Sequence, residues 1–169
     1  MNETPQDLAW LQRVLDDSYA RAGGHLRSIH VEEARLSAQA VAERLHGMRV
    51  FVVATTASDG RPFTGPVDAF LHRGRVHFGT APSALRARHL QRSSAVSATY
   101  VEGEGVVVTV HGYVRRLDLR GADADFAEVT RQQYGEAWDR WRRSPPAWAI
   151  EPERMFAADM RVHTSVAAS

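Results

Sequence analysis

Between Arg49 and His72 the chain reads "RVFVVATT", then Ala57-Ser58-Asp59-Gly60-Arg61, then "PFTGPVDAFLH". The first run is apolar and β-branched, the composition of a buried strand. Asp59-Gly60 is the dipeptide that tight hairpin turns select, because it tolerates positive φ. The second run is the returning strand, and Gly65-Pro66 within it predicts a bulge or an interrupted edge. Working outward, Gly74 turns the chain into "RVHFGT" (Arg75–Thr80). "AVSATYV" (Ala95–Val101) and "VVVTVHGYVRRLD" (Val106–Asp118) read as two more strands, joined at Glu102-Gly103-Glu104-Gly105. "RMFAADMRV" (Arg154–Val162) reads as a closing strand. Strands joined mainly by hairpins predict an antiparallel sheet. This many short strands favour closure into a barrel, which removes exposed edges.

Helices flank this core. Thr4 is placed to cap a helix over Pro5–Ala22, Pro5 suits its first position and Gly23-Gly24 ends it. Leu8, Leu11, Leu15 and Tyr19 form its apolar stripe. Ser37 is placed to cap a second helix, Ala38–Leu45, which Gly47 stops. His25 and His30 fall in the intervening loop. A third helix, from Ala122 to Arg143, carries Phe126, Val129, Ala137, Trp138 and Trp141, and Pro145-Pro146 breaks it. Trp148 lies just beyond, as core or as a cover for a ligand. The fold class is mainly β (α+β): one domain with a helical extension over 1–46, a barrel core over 47–118, and a helix and closing strand over 119–169.

Composition narrows the chemistry. The formal charge is only +1, so the basic excess typical of nucleic-acid and anionic-membrane proteins is absent. No apolar run approaches the roughly 20 residues of a membrane span. There is no cysteine, so disulfides, thiolate metal sites and cysteine nucleophiles are excluded, and a cytoplasmic setting is expected. All 21 basic residues are arginine, so lysine Schiff-base chemistry is excluded too. The histidines show no H-x-x-x-H or H-E-x-x-H spacing, and no metal site is expected. No G-x-S-x-G elbow is present.

The remaining stretch is "FGTAPSALRARHL" (Phe78–Leu90), a short helix opened by Thr80 and Ser83. A helix N-terminus presents free amides and partial positive charge, which suits a phosphate. Arg86 and His89, three apart, share one face, while Arg88 and Arg92 form a solvent-facing pair. Arginine offers a two-pronged contact to an anion. An ordinary capped surface helix has the same local chemistry.

The order of parts resembles the pyridoxamine 5'-phosphate oxidase-like, FMN-binding split-barrel family. The resemblance covers Gly47–Asp118: the "AT…DGRP…PV" hairpin, the "FGT" strand end, the basic helix ending in "RHL", and "VSATY". It extends more loosely to "WAIEPERMFAAD". It implies a six-stranded antiparallel split barrel that pairs as a homodimer, with FMN at the interface. By position, Thr80, Ser83 and Arg86 are implied as the phosphate cradle, and His89 as a neighbour that donates to it or packs. Gly65, Pro66, Val67 and Asp68 are implied as the strand bordering the flavin ring, with Phe78 and Gly79 beside them. Asp68 is placed to accept from a ring N–H or to stabilise a turn. Relatives often carry lysine at Arg86, asparagine at His89 and proline at Ser94. The substrate-binding "R-x-H" of the vitamin B6 oxidases is matched only by the triplet Arg161-Val162-His163, so vitamin B6 oxidation is not expected. The expected function is an FMN-dependent oxidoreductase acting on a small organic substrate, with no nucleic acid or membrane partner. A deazaflavin coenzyme in the same barrel, or a non-catalytic flavin or haem carrier, are the alternatives. No residue stands out as a general acid or base.

Overall fold

The structure, a computed structural model, describes residues 3–135 and 146–162. Alternating burial builds β1 (Met48–Thr56), β2 (Pro62–His72), β3 (Arg75–Gly79), β4 (Ala95–Glu102), β5 (Val106–Arg116) and β6 (Ala147–Asp159). They close in the order β1-β2-β3-β6-β5-β4, with every pairing antiparallel. Paired residues point to the same side of a sheet. Phe51, Val53, Ala69, Phe78, Val108 and Ile150 therefore line a buried interior, while Val50, Val52 and Val101 face out and stay about half exposed. Among the described residues no helix is long and apolar enough to cross a membrane.

One expectation about strands needs correction, the start of β6, and two open alternatives are decided. Gly65-Pro66 makes no bulge: β2 stays in register with β1 from Met48↔Phe70 to Thr56↔Pro62. It is an edge instead, since β3 pairs only with Ala69–His72. The real bulge lies between β5 and β6, where the register shifts between His111↔Arg154 and Gly112↔Pro152. There a Cβ on Gly112 would sit 2.1 Å from the Glu151 carbonyl oxygen, so only glycine fits. β6 begins at Ala147 rather than Arg154. Pro152 disguises its first half, but a proline at a bulge breaks no regular ladder bond. Trp148 is accordingly core, stacked on Phe78 with ring centroids 5.8 Å apart.

The helices follow their caps closely. α1 (Pro5–Ala20) opens with a reciprocal box between Thr4 and Asp7 and ends two residues earlier than expected. α2 (Gly24–Ile29) and a 3-10 turn (Glu32–Ala34) occupy the expected loop. α3 (Ala38–Arg44) is capped by Ser37. α4 (Leu85–Arg92) begins later than expected: Thr80–Ser83 form the turn before it, and Ala84 is its N-cap, with no side chain capping it. α5 (Ala124–Tyr134) runs into Gly135, at φ 53°. The expected continuation to Arg143, with Trp138 and Trp141, lies outside the described residues.

The N-terminal extension has a definite structural task. β3 pairs β6 only at Ala147–Ala149, which leaves the outer backbone edge of Ile150–Asp159 without a strand. α1 supplies the missing partners. Ser18 accepts from the Met155 amide at 2.8 Å, and Arg21 reaches the Glu153 carbonyl at 3.1 Å. The Tyr19 hydroxyl donates to the Ala157 carbonyl at 2.8 Å and accepts from the Ala157 amide at 3.2 Å. With its proton spent on that carbonyl, it accepts again from His30 Nδ1 at 3.0 Å. Burial pushes this phenol's pKa up to about 12, so it stays neutral. Tyr19→Phe leaves the Ala157 amide and His30 unpaired, and thermal or denaturant unfolding should show a loss of about 2 kcal/mol.

Candidate functional site

β3 stops at Gly79, and the chain crosses to α4 alongside the unpaired half of β2. Arg86, on the first turn of α4, reaches back over that half. Its Nη2 lies 3.5 Å from the Pro66 carbonyl, a long contact. A Cβ on Gly65 would come within 2.7 Å of the same nitrogen, so the missing side chain makes the space that the guanidinium occupies. Because the Pro66 carbonyl faces this edge, Pro66 and Pro62 lose no ladder bond by lacking an N–H. Arg86 is partly buried, which lowers its pKa, yet no carboxylate among the described residues pairs with it. That is unusual: a desolvated cation ordinarily finds a counter-charge.

The other candidate residues sort into three groups. Gly79 is exposed, Thr80 is partly buried and Ser83 is exposed; together they flank the turn into the uncapped α4 N-terminus. The Thr80 amide donates to the Pro146 carbonyl at 3.3 Å. Val67 and Phe78 turn their side chains into the barrel, so only their backbones border this region. His89 is buried, with Nδ1 3.0 Å from the Thr55 hydroxyl and its ring edge-on to Phe63. Arg86 and His89 thus both face β2, but only Arg86 stands over Gly65. Arg88 is exposed, whereas Arg92 is tied to the Thr56 carbonyl at 2.9 Å.

Asp68 is exposed on the outer face of β2 and accepts from the Tyr134 hydroxyl of α5 at 2.9 Å. Tyr134 has no sequence signature: it ends a helix whose neighbours only the tertiary fold reveals.

A second polar cluster lies further along β2 and β3, around a cavity of about 270 Å³ lined by His72, His77, Arg115, Asp123, Asp125 and Glu151, among others. Arg115 grips Asp123 through two contacts of 2.9 Å, holding that carboxyl down at about 2. His72 Nε2 donates to Asp125 at 2.9 Å, while its Nδ1 is buried with no partner among the described residues. His77 is buried against Phe126, ring centroids 4.6 Å apart, with Nδ1 3.0 Å from the Arg75 carbonyl. Among the described residues no three histidine or carboxylate side chains converge as a metal site.

The profile of the pyridoxamine 5'-phosphate oxidase family matches residues 37–158, well over half of the chain. The chain belongs to that family. Family membership embraces the β1–β2 hairpin, the β3–α4 crossing and β6 together. A conserved protein of Mycobacterium tuberculosis, Rv2991, superposes with a TM-score of 0.67 at 17% identity, over 78% of this chain and 90% of that one. HutZ, a haem storage protein of Vibrio cholerae, gives 0.62 at 16%, over 70% and 92%. A FAD-binding protein of Mesorhizobium loti gives 0.57 at 22%, over 73% and 93%. At these identities the likeness concerns the fold. Cyclosporin synthetase of Tolypocladium inflatum is 30% identical over 120 residues, but the match spans 53% of this chain and 1% of that protein.

The His77 environment has a measurable consequence. Burial pushes its pKa from 6.5 down to about 3. The unfolded chain therefore takes up a proton that the folded chain refuses, so this contribution is complete above pH about 6.5 and is lost as pH falls toward 3. His77→Phe should flatten the acid side of the stability curve by up to about 1.4 kcal/mol per pH unit. Urea unfolding between pH 7 and 4 checks this.

Proposed function

We propose that this chain binds FMN beside the end of β3 and acts, as a cytoplasmic homodimer, as a flavin-dependent oxidoreductase on a small organic substrate. The observation that carries the reading is Arg86: a partly buried guanidinium without a carboxylate, set over a glycine, beside an uncapped helix N-terminus. A phosphate supplies the missing counter-charge, and Thr80 and Ser83 offer hydroxyls toward it. The residues present therefore fit a phosphorylated ligand. Family membership supports a flavin as that ligand, and so does the FAD-binding protein of Mesorhizobium loti that shares the fold.

When bound, the flavin supplies hydride or electron transfer at its ring. The chain's own share is positional. Arg86 neutralises the phosphate, the backbone of Gly65–Asp68 borders the ring, and Asp68 offers an acceptor. The homodimer draws support from the outer face of β1 and β4, where Val50, Val52 and Val101 are 51%, 48% and 57% exposed. Such a face is apolar enough to be covered in solution.

Visible absorption of the purified protein, before and after adding FMN and desalting, tests the reading. A two-banded flavin spectrum that survives desalting is the expected result. A protein that stays colourless overturns it, and a Soret band assigns the site to haem instead. Arg86→Ala should weaken FMN by at least about 10-fold through loss of a charge-assisted contact. Gly65→Val, which fills the space under the guanidinium, should do likewise while leaving the protein folded. Undiminished FMN retention in both variants removes the phosphate cradle.

A further inference from the structure

We propose that the groove between α1, α2 and the 3-10 turn is a second ligand site, which takes a small monocarboxylate with an apolar body and grips it through Arg35. None of the residues lining this groove belongs to the β3–α4 crossing, so it stands apart from the proposed flavin site.

Arg35 follows the 3-10 turn and is held at three points. Its backbone bridges to Ala158 of β6, its Nε donates to the His30 carbonyl at 3.1 Å, and its Cζ lies 4.5 Å from the Tyr19 ring centroid. Tyr19 is itself fixed through its hydroxyl to the Ala157 backbone. Confining an arginine this way sacrifices side-chain entropy, which a gripped carboxylate or phosphate ordinarily offsets. Yet both Nη atoms lack a hydrogen-bond partner among the described residues, and no carboxylate there pairs with Arg35. Its charge is felt nearby: after burial, Arg35 is what holds the His30 pKa below its usual value.

Arg35 lines a cavity of about 560 Å³, within the range that holds small organic ligands. Leu15, Ala20 and Leu36 make part of its wall apolar. Arg27 adds a second cation without a carboxylate partner among the described residues, and Asp16 and Glu32 add two anions. Asp16 is engaged by Gln12 at 2.9 Å, and neither carboxylate pairs with either arginine. With two cations against two anions in the wall, one negative charge at Arg35 is accommodated. A phosphate dianion meets added repulsion from Asp16 and Glu32. A carboxylate matches the guanidinium fork, and an apolar body behind it displaces water from the leucines.

Calorimetric titration with octanoate tests the site, with acetate, octanol and inorganic phosphate as comparison ligands. The native chain should bind octanoate saturably. It should do so at least about 10-fold more tightly than acetate, which lacks the body, octanol, which lacks the charge, or phosphate. Adding FMN should leave the octanoate affinity unchanged. Arg35→Met, which keeps a stem over Tyr19 but removes the charge, should weaken octanoate at least about 10-fold. Glu32→Gln, at an exposed position, should instead tighten octanoate about 2- to 5-fold by removing a repelling charge, while leaving octanol unaffected. Circular dichroism establishes that each variant folds. Absence of saturable octanoate binding by the native chain, no advantage over octanol, competition with FMN, or native-like affinity in a folded Arg35→Met overturns the site. Should Arg35→Met fail to fold, an unchanged octanoate affinity in Glu32→Gln overturns it equally.

Discussion

The five residues of β3 are the constraint on which the rest of the molecule depends. β2 has 11 residues and β6 has 13, so a short strand between them cannot satisfy either along its length. Each long strand is left with an edge of unpaired backbone, which costs free energy if buried and invites association if exposed. The chain answers the two edges differently. Along β6 it spends Ser18 and Tyr19 of α1 and its C-cap Arg21, together with the Leu36 amide, on the backbone of Glu153–Ala157. Along β2 it places prolines and a single long contact from Arg86. One edge is closed from within, and the other borders the ligand site proposed above.

This asymmetry gives the helical additions separate roles. α1 and α3 join the barrel's own apolar cluster through Leu11, Leu15, Val41 and Leu45, so they belong to the core. α5 covers the opposite outer face through Phe126 and Phe70, with His77 packed beneath it. Its polar anchors at one end and Tyr134 at the other link the histidine cluster to the strand beside Arg86. The partly desolvated charge on Arg86 is an energetic liability in the free chain, which the ligand phosphate proposed above would offset.

Much of this was legible in the residues. Turn chemistry at Asp59-Gly60 and Gly74, the β-branched runs, and the Thr4 and Ser37 caps are local signals, and they mark the first five strands and two helices closely. Arg86 was legible as a candidate because arginine beside a hydroxyl-rich helix start carries its chemistry in a few adjacent residues. What failed was also local in origin. Pro152 hid the first half of β6, since a proline reads as a break until Gly112 is found opposite it. Thr80 and Ser83 look like caps, but the helix starts only at Leu85.

By itself, then, the sequence determined the strand runs, their hairpin order, the barrel class and the basic crossing after β3, because each rests on neighbours within a few positions. Tertiary structure alone decided which edge is sealed, that Trp148 packs inside, that His89 turns to Thr55, and that Tyr134 meets Asp68 across 66 positions of chain. Those pairings join residues distant in sequence. Closure of the barrel sets them, and no local periodicity or propensity encodes them.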